Sequence, residues 1–417
     1  MKWLRWALPS AALAAVSVGV VHAQSVPTPV FLPTDAQASA WIDADLSVVR
    51  AHSVAQAAGH GGAAVAASPY EWTTRVQGQR RRYQDTGVNS AEWAVQLERT
   101  IRINGKAGLD RHLRDVEDQI GRARVAEARH ESARALADMW SAVVVAERQR
   151  ALLDEQVSFA RGNVDAVKKR MRAGDASALD VNVAQADLGD VQREASAAVT
   201  ALTNARAALR SRFPSAAPEA SPLPEPHPAL LTEPAWRERV IGESETVEAA
   251  QGEYEKSTLT ARRTRADRVP DPTVGVFAAT EARRNEKIIG LSVSIPFSGT
   301  YRSERALQAG KEADAAHASL LRAKLDADLD ATQTYSEAQG SLERWRIAQD
   351  TARLATENAR LMQRTYTLGE ADLQSLLFSR RQSLDASRAA IDAQGQAVRW
   401  ETRLLIDAHL IWGLSRS

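Results

Sequence analysis

The chain has 417 residues with 53 Lys and Arg against 52 Asp and Glu, a net charge of +1 that excludes a general nucleic-acid binder held by phosphate charge. Cysteine is absent, which excludes disulfides and a lipidated N-terminal cysteine and leaves helix packing or oligomerisation as the source of rigidity. Aromatics make up only 5%, and long alanine-, arginine- and glutamine-rich stretches suit extended helices better than a compact core.

Residues 1–23 read as a secretory signal. Lys2 and Arg5 give a basic start, Trp6 to Val21 is mostly apolar, and Val21-His22-Ala23 supplies small residues before a cut at Gln24. Beyond it no apolar run is long enough for a transmembrane helix, so entry into a membrane requires a β-barrel.

The first unit, 24–213, is read as an early helix near Asp35 to Ala66, a β-hairpin over about 70–104, and a long helical hairpin turning at 174. In the second strand Trp93, Val95, Leu97, Ile101 and Ile103 form an apolar face. Glu92, Gln96, Glu98, Thr100, Arg102 and Asn104 form a polar one. That alternation over about 11 residues fits a barrel wall between lipid and water, and equally a half-buried soluble sheet. Arg99 breaks the pattern, which places it near a membrane interface or at a bulge. Tyr70 to Tyr83 is the expected partner strand, and Arg80-Arg81-Arg82 is expected at the hairpin's outer end.

From Leu109 to Ala173 the chain is predicted as one helix on the order of 100 Å long. Leu153, Val157, Ala160, Val164, Val167 and Met171 alternate spacings of three and four, as do Val181, Ala184, Leu188, Val191, Ala195, Ala198, Leu202, Ala205 and Leu209 after Gly174. Sustained spacing of this kind is that of a coiled coil. The return helix to Phe213 is only half as long as its partner. The length deficit suggests that the helix of about Ala235 to Arg268 continues its column, and that the early helix completes the C-terminal one.

Seven of the 15 prolines fall in 214–234, a stiff linker. The second unit, 235–417, repeats the first: a helix, a hairpin over about 273–297, and a long helical hairpin turning at 369. Here Leu291, Val293, Ile295 and Phe297 make the apolar stripe, and Leu377, Leu384, Ile391, Val398 and Leu405 recur every seven residues. Gly299 follows Gly105 by 194 residues and Gly369 follows Gly174 by 195, so the unit is duplicated. At each turn a glycine free to adopt positive φ precedes an N-cap, Ser177 or Asp372.

No phosphate loop, nucleophile elbow or metal-ligand spacing is present, so no catalytic residue, metal or cofactor is expected. The eight histidines are scattered, and exposed, unliganded side chains are the expectation; His52 and His60 alone share a helix neighbourhood. Four strands cannot close a barrel, since the smallest has eight, so a barrel reading entails several copies.

Five ordered segments, QLERTIRINGKAGLDR, RMRAGDASALDVNVAQADL, RADRVPDPTVGVFAAT, IIGLSVSIPFSG and YTLGEADLQSLLFSRRQSLDA, together resemble the TolC-like outer-membrane efflux protein family over essentially the whole mature chain. RVPDPTVGV and GLSVSIPF look most like the subgroup associated with heavy-metal efflux pumps of the resistance-nodulation-division (RND) type. The resemblance implies a mainly α fold with β: a long antiparallel coiled-coil helical barrel, and four strands per chain in a trimeric outer-membrane β-barrel. It implies a homotrimer in outer-membrane lipid, reaching into the periplasm of a Gram-negative cell and joined by a periplasmic adaptor to an inner-membrane pump. The turns would be the docking and gating end, carried here by Gly174, Asp175, Leu179, Asp180, Val181, Ala184, Tyr366, Gly369, Glu370, Asp372 and Leu376. The family often has an acidic residue at the position of Ser375 and sometimes at that of Phe378, which leaves Glu370 and Asp372 as the nearby carboxylates. The other class compatible with the residues is a periplasmic coiled-coil scaffold or adaptor whose strands form a soluble domain.

Overall fold

The computed structural model describes residues 27–218 and 222–414; the signal segment 1–23 lies outside the described residues. In chain order the elements are α1 (Asp35–Ala44), α2 (Leu46–Ala67), β1 (Thr73–Arg82), β2 (Asn89–Thr100), α3 (Lys106–Ala173), α4 (Ala178–Arg212), α5 (Glu233–Gly242), α6 (Glu245–Ala266), β3 (Thr273–Glu281), β4 (Glu286–Ser294), α7 (Thr300–Leu368) and α8 (Leu373–Asp407). At 68 and 69 residues, α3 and α7 are each about 100 Å long. No proline interrupts either, and tertiary packing of the seam supplies stability that propensity alone does not.

The heptad seams lie where the spacing puts them. Leu153, Ala160, Val164 and Val167 of α3 are buried, as are Val181, Ala184, Val191, Ala198, Leu202 and Leu209 of α4 and Leu384, Ile391, Val398 and Leu405 of α8. α4 runs back along α3, and α8 along α7; α2 and α6 both flank α3, and α6 also packs on α7.

The composite columns differ from the length-based expectation in their pairing. Arg212, at the end of α4, reaches Asp45, the N-cap of α2, at 2.8 Å. At the end of α8, His409 meets Glu245 at the start of α6 at 3.0 Å. Thus α2 continues α4 and α6 continues α8, so each repeat completes its own column. Length could not discriminate here, because α2 and α6 are both 22 residues long. Both upper helices are also preceded by a break: α1 ends at Asp45, and α5 ends before Ser244, where side-chain caps restart the helix. The last helix stops at Asp407, short of Ile411, because His409 and Trp412 take left-handed φ of 53° and 62°.

The main core sits at this joint, where Ile42, Val48, Leu136, Val143, Leu209, Phe213, Ile406, Ile411 and Trp412 are buried together. Trp140 and Trp412 donate their indole N–H groups to the carbonyls of Phe31 and Pro33 at 2.7 and 3.2 Å. The proline-rich linker is laid on α8, where Gln394 donates to the carbonyls of Leu223 and Pro224 at 3.1 and 2.9 Å.

The strands form one antiparallel sheet in the order β1-β2-β3-β4, so the two hairpins of the duplicated unit lie side by side. Register pairs Val76 with Val95, Leu97 with Val276 and Val276 with Leu291. β2 and β4 end earlier than the apolar alternation suggests. Ile101 and Ile103 lie beyond β2, and Ile295 and Phe297 beyond β4, all four exposed. Prolines set these limits: β3 starts after Pro272, and Pro296 follows β4, neither able to donate to a ladder.

Candidate functional site

The sheet has two unlike faces. One carries Val76, Trp93, Val95, Leu97, Val276, Ile289, Leu291 and Val293, which the register aligns across all four strands. Leu291 and Ile289 are 82% and 86% exposed, far more than isolated surface apolar residues need explain. The opposite face is mainly polar, with Phe277 laid over Gly290 as its apolar exception, and several of its polar side chains pair with one another. Gln79 donates to Glu92 at 2.9 Å, Arg81 lies 3.3 Å from Glu92, and Gln96 donates to Glu98 and Ser292 at 2.8 and 3.2 Å.

Arg99 belongs to the apolar face but sits one residue from the end of β2 nearest the helices. Its guanidinium donates to the carbonyl of Tyr70 at 3.2 Å and lies 5.6 Å from the centre of the Trp72 ring. Arg80-Arg81-Arg82 closes β1 at the far end of the hairpin. Beneath the sheet, a charged joint fixes the strand-to-helix angle. Asp110 accepts from Arg102 and Arg263 at 2.6 Å each, and the fully buried Lys106 donates to Asp271 at 2.8 Å.

At the other end, about a helix length away, the two turns share one construction. Gly174 and Gly369 have φ of 89° and 80°. Asp175 N–H then reaches the carbonyl of Arg170 at 2.9 Å, and Glu370 N–H that of Thr365 at 3.0 Å. These are the six-to-one bonds of a Schellman stop. The returning helices are capped differently. Ser177 Oγ accepts from Asp180 N–H at 3.2 Å while Asp180 accepts from Ser177 N–H at 2.8 Å, whereas Asp372 alone accepts from Ser375 N–H at 2.7 Å. The backbone N–H of Ser177 and that of Ser375 hold the Asp180 and Asp372 carboxyls below the usual range.

The turn residues thus divide into a buried and an exposed set. Val181, Ala184, Tyr366 and Leu376 join Val164, Val167 and Leu373 in one apolar cluster binding the two hairpins together. Asp175, Leu179, Glu370 and Phe378 point outward, Leu179 and Phe378 each 66% exposed. Arg170 lies 5.0 Å from the Tyr366 ring centre and ties the hairpins at their margin.

Two of the histidines depart from the expectation of exposure, while His52, His60, His112, His227 and His317 are exposed. His130 and His409 are buried and meet directly, 3.1 Å between ring nitrogens, with Glu245 against both at the wall of a cavity. They lie 279 residues apart, on α3 and past the end of α8, so no local spacing announces them.

No protein-family model matches the chain. The cobalt-zinc-cadmium resistance protein CzcC of Cupriavidus metallidurans is 24% identical over 217 residues, covering 51% of this chain and 52% of that one. The match therefore spans about half the length of that curated relative. Among solved structures, the outer-membrane channel OprN is similar with a TM-score of 0.77 at 18% identity, covering 91% of both chains. The outer membrane protein VceC of Vibrio cholerae gives 0.73 at 16%, covering 90% of this chain and 95% of that one. The fold of this chain is the fold of those channels: a mainly helical, TolC-like strut assembly carrying a four-stranded sheet.

Proposed function

We propose that this protein is the outer-membrane channel of a tripartite efflux system, assembling as a homotrimer that receives substrate from an RND-type inner-membrane pump through a periplasmic adaptor. The observation that carries the reading is the incomplete sheet. Four strands present an apolar band on one face and a mainly polar surface on the other, and among the described residues neither edge has a partner strand. Three copies supply twelve strands, enough for a closed barrel with lipid outside and water within. A soluble scaffold or adaptor would gain nothing from an aligned apolar face of this kind and would aggregate through it.

A second exposed stripe supports assembly below the barrel. Ile347, Leu354, Leu361 and Leu368 recur every seven residues along α7 and are 48–66% exposed, a seam that a neighbouring chain's column would cover. Asp175, Leu179, Glu370 and Phe378, at the far tip, are the surface on which adaptor hairpins dock. The packed Val181–Tyr366–Leu376 cluster holds that end closed. The partial likeness to CzcC supports divalent heavy-metal cations as cargo. Selectivity then resides in the pump, and the channel supplies a polar lining and a closable end.

The test joins three readings on detergent-extracted protein: retention in outer-membrane vesicles after alkaline washing, native mass, and single-channel current in planar bilayers. A membrane-retained trimer passing small, steady currents is expected. A monomer that washes off and passes no current overturns the reading.

A further inference from the structure

The buried histidine pair is assembled by three segments remote in sequence: His130 on the middle of α3, Glu243 and Glu245 at the break before α6, and Asp407 and His409 at the end of α8. His130 Nδ1 lies 3.1 Å from His409 Nε2 and 3.4 Å from a Glu245 oxygen; His409 Nε2 lies 3.0 Å from the other Glu245 oxygen. The remaining ring nitrogens lie beside carboxylates. His130 Nε2 is 3.1 Å from Asp407, and His409 Nδ1 is 3.0 Å from Glu243.

Asp407 stands as the acceptor for His130 Nε2, while His409 Nδ1 lies 3.0 Å from Glu243 without a hydrogen-bond partner of its own. The tautomers with both N–H groups turned outward, toward Asp407 and Glu243, leave the lone pairs of His130 Nδ1 and His409 Nε2 aimed at one another and at Glu245. Two imidazole lone pairs and a carboxylate then converge with no donor among them. Such a set is stable only around a positive centre. The two nitrogens are 3.1 Å apart and each has its own Glu245 oxygen at 3.0–3.4 Å, so one ligand atom from each residue falls within 4.8 Å of the others, close to the roughly 3.3 Å between donors of a tetrahedral ion with bonds of about 2.0–2.1 Å. His409 holds its position on a left-handed backbone of φ 53°, a conformation that costs energy for a residue with a Cβ.

We propose that His130 Nδ1, His409 Nε2 and the Glu245 carboxylate bind a divalent transition-metal cation of the zinc type, with Asp407 and Glu243 as the carboxylates that orient the two imidazoles. Two imidazoles and one carboxylate are a donor set suited to zinc, and carboxylate-backed histidines are the arrangement that raises ligand basicity and fixes ring direction. His130, Glu245 and His409 line a cavity of about 400 Å³ whose wall also carries Glu127, Asp326 and Asp330 alongside Arg134 and Arg322. Both arginines are engaged: Arg134 with Asp407 at 2.8 Å and Arg322 with Asp326 at 2.8 Å. The ion fastens α6 and the end of α8 to α3 at the joint of a composite column. This goes beyond the channel reading and does not depend on it.

The experiment uses the full chain in detergent, stripped with chelator and titrated with Zn²⁺. One tightly held zinc per chain is expected, with an X-ray absorption spectrum of two histidine nitrogens and oxygen at about 2.0–2.1 Å. His130→Gln and His409→Gln are expected to abolish stoichiometric binding, and Asp407→Asn to weaken it by about 10–100-fold. Glu127→Gln, in the cavity wall but outside the proposed donor set, should bind as the unaltered chain does. Absence of stoichiometric zinc in the folded, unaltered chain overturns the proposal and leaves a shared proton as the positive centre. So does undiminished binding by folded histidine variants. Should those variants fail to fold, the absorption spectrum of the unaltered chain decides alone: a first shell without histidine nitrogen overturns the site.

Discussion

Gly174 and Gly369 do one job at the same level of the molecule, and their surroundings make the job purely conformational. A methyl group at either position would touch nothing within 4 Å, yet φ is +89° and +80°. Gly174→Ala and Gly369→Ala therefore carry a backbone penalty of about 1–2 kcal/mol each without a steric one. The expected outcome is a lowered melting temperature, additive in the double variant if the turns are independent. Asp45 is a second residue whose role is local and measurable. Burial opposes its charge, but bonds from Ser132 at 2.6 Å, the Ser47 N–H and Arg212 outweigh that and hold its carboxyl below the ordinary 3.8. Since the folded value lies below the unfolded one, the stabilisation is complete above 3.8 and is lost as pH falls through the folded value. Asp45→Asn should cost about 1.5–3 kcal/mol near neutral pH and flatten the acid limb of a stability–pH curve. An acid limb unchanged in that variant would remove Asp45 from the account.

At the scale of elements, the seams and turns were legible in the sequence because heptads and glycines are local signals. The long helices, the glycine stops and the paired hairpins are where periodicity puts them. Three features were not legible, for physical reasons. The stacking of α2 on α4 depends on an end-to-end ion pair, Arg212 with Asp45, that chain length does not encode. Strand ends were set by Pro272 and Pro296, which outweigh the continuing apolar alternation. The histidine cluster requires three segments to meet, and nothing local to any of them reports the meeting. A prediction belongs to the cluster that binds the two hairpins at the tip. Leu376 is fully buried there against Val181 and Tyr366. Leu376→Ala should cost about 2–5 kcal/mol by cavity formation. In bilayers it should raise single-channel current, because it loosens the packing between the turns. A current unchanged in a destabilised, still trimeric variant would separate this cluster from closure.

For the whole molecule, the apolar band makes a depth-dependent prediction. Val293 and Leu291 are exposed on the outer face of β4. An arginine there should cost about 2–4 kcal/mol of folding free energy in vesicles if the position is near the bilayer midplane. Refolding yields that ignore Leu291→Arg would argue for a soluble sheet. The composite columns carry a further consequence, one of mechanics. Of the four columns in each chain, α3 and α7 are covalently continuous from sheet to tip, while α2 over α4 and α6 over α8 are only butted end to end. A butted joint bears compression but transmits tension poorly. A pull applied at the tip reaches the sheet covalently through α3 and α7, whereas the other two columns pass it on only through the packing and ion pairs of the joint. Half of the wall is thus tendon and half is masonry, and rotation of the tip is set by how firmly the joints are cemented.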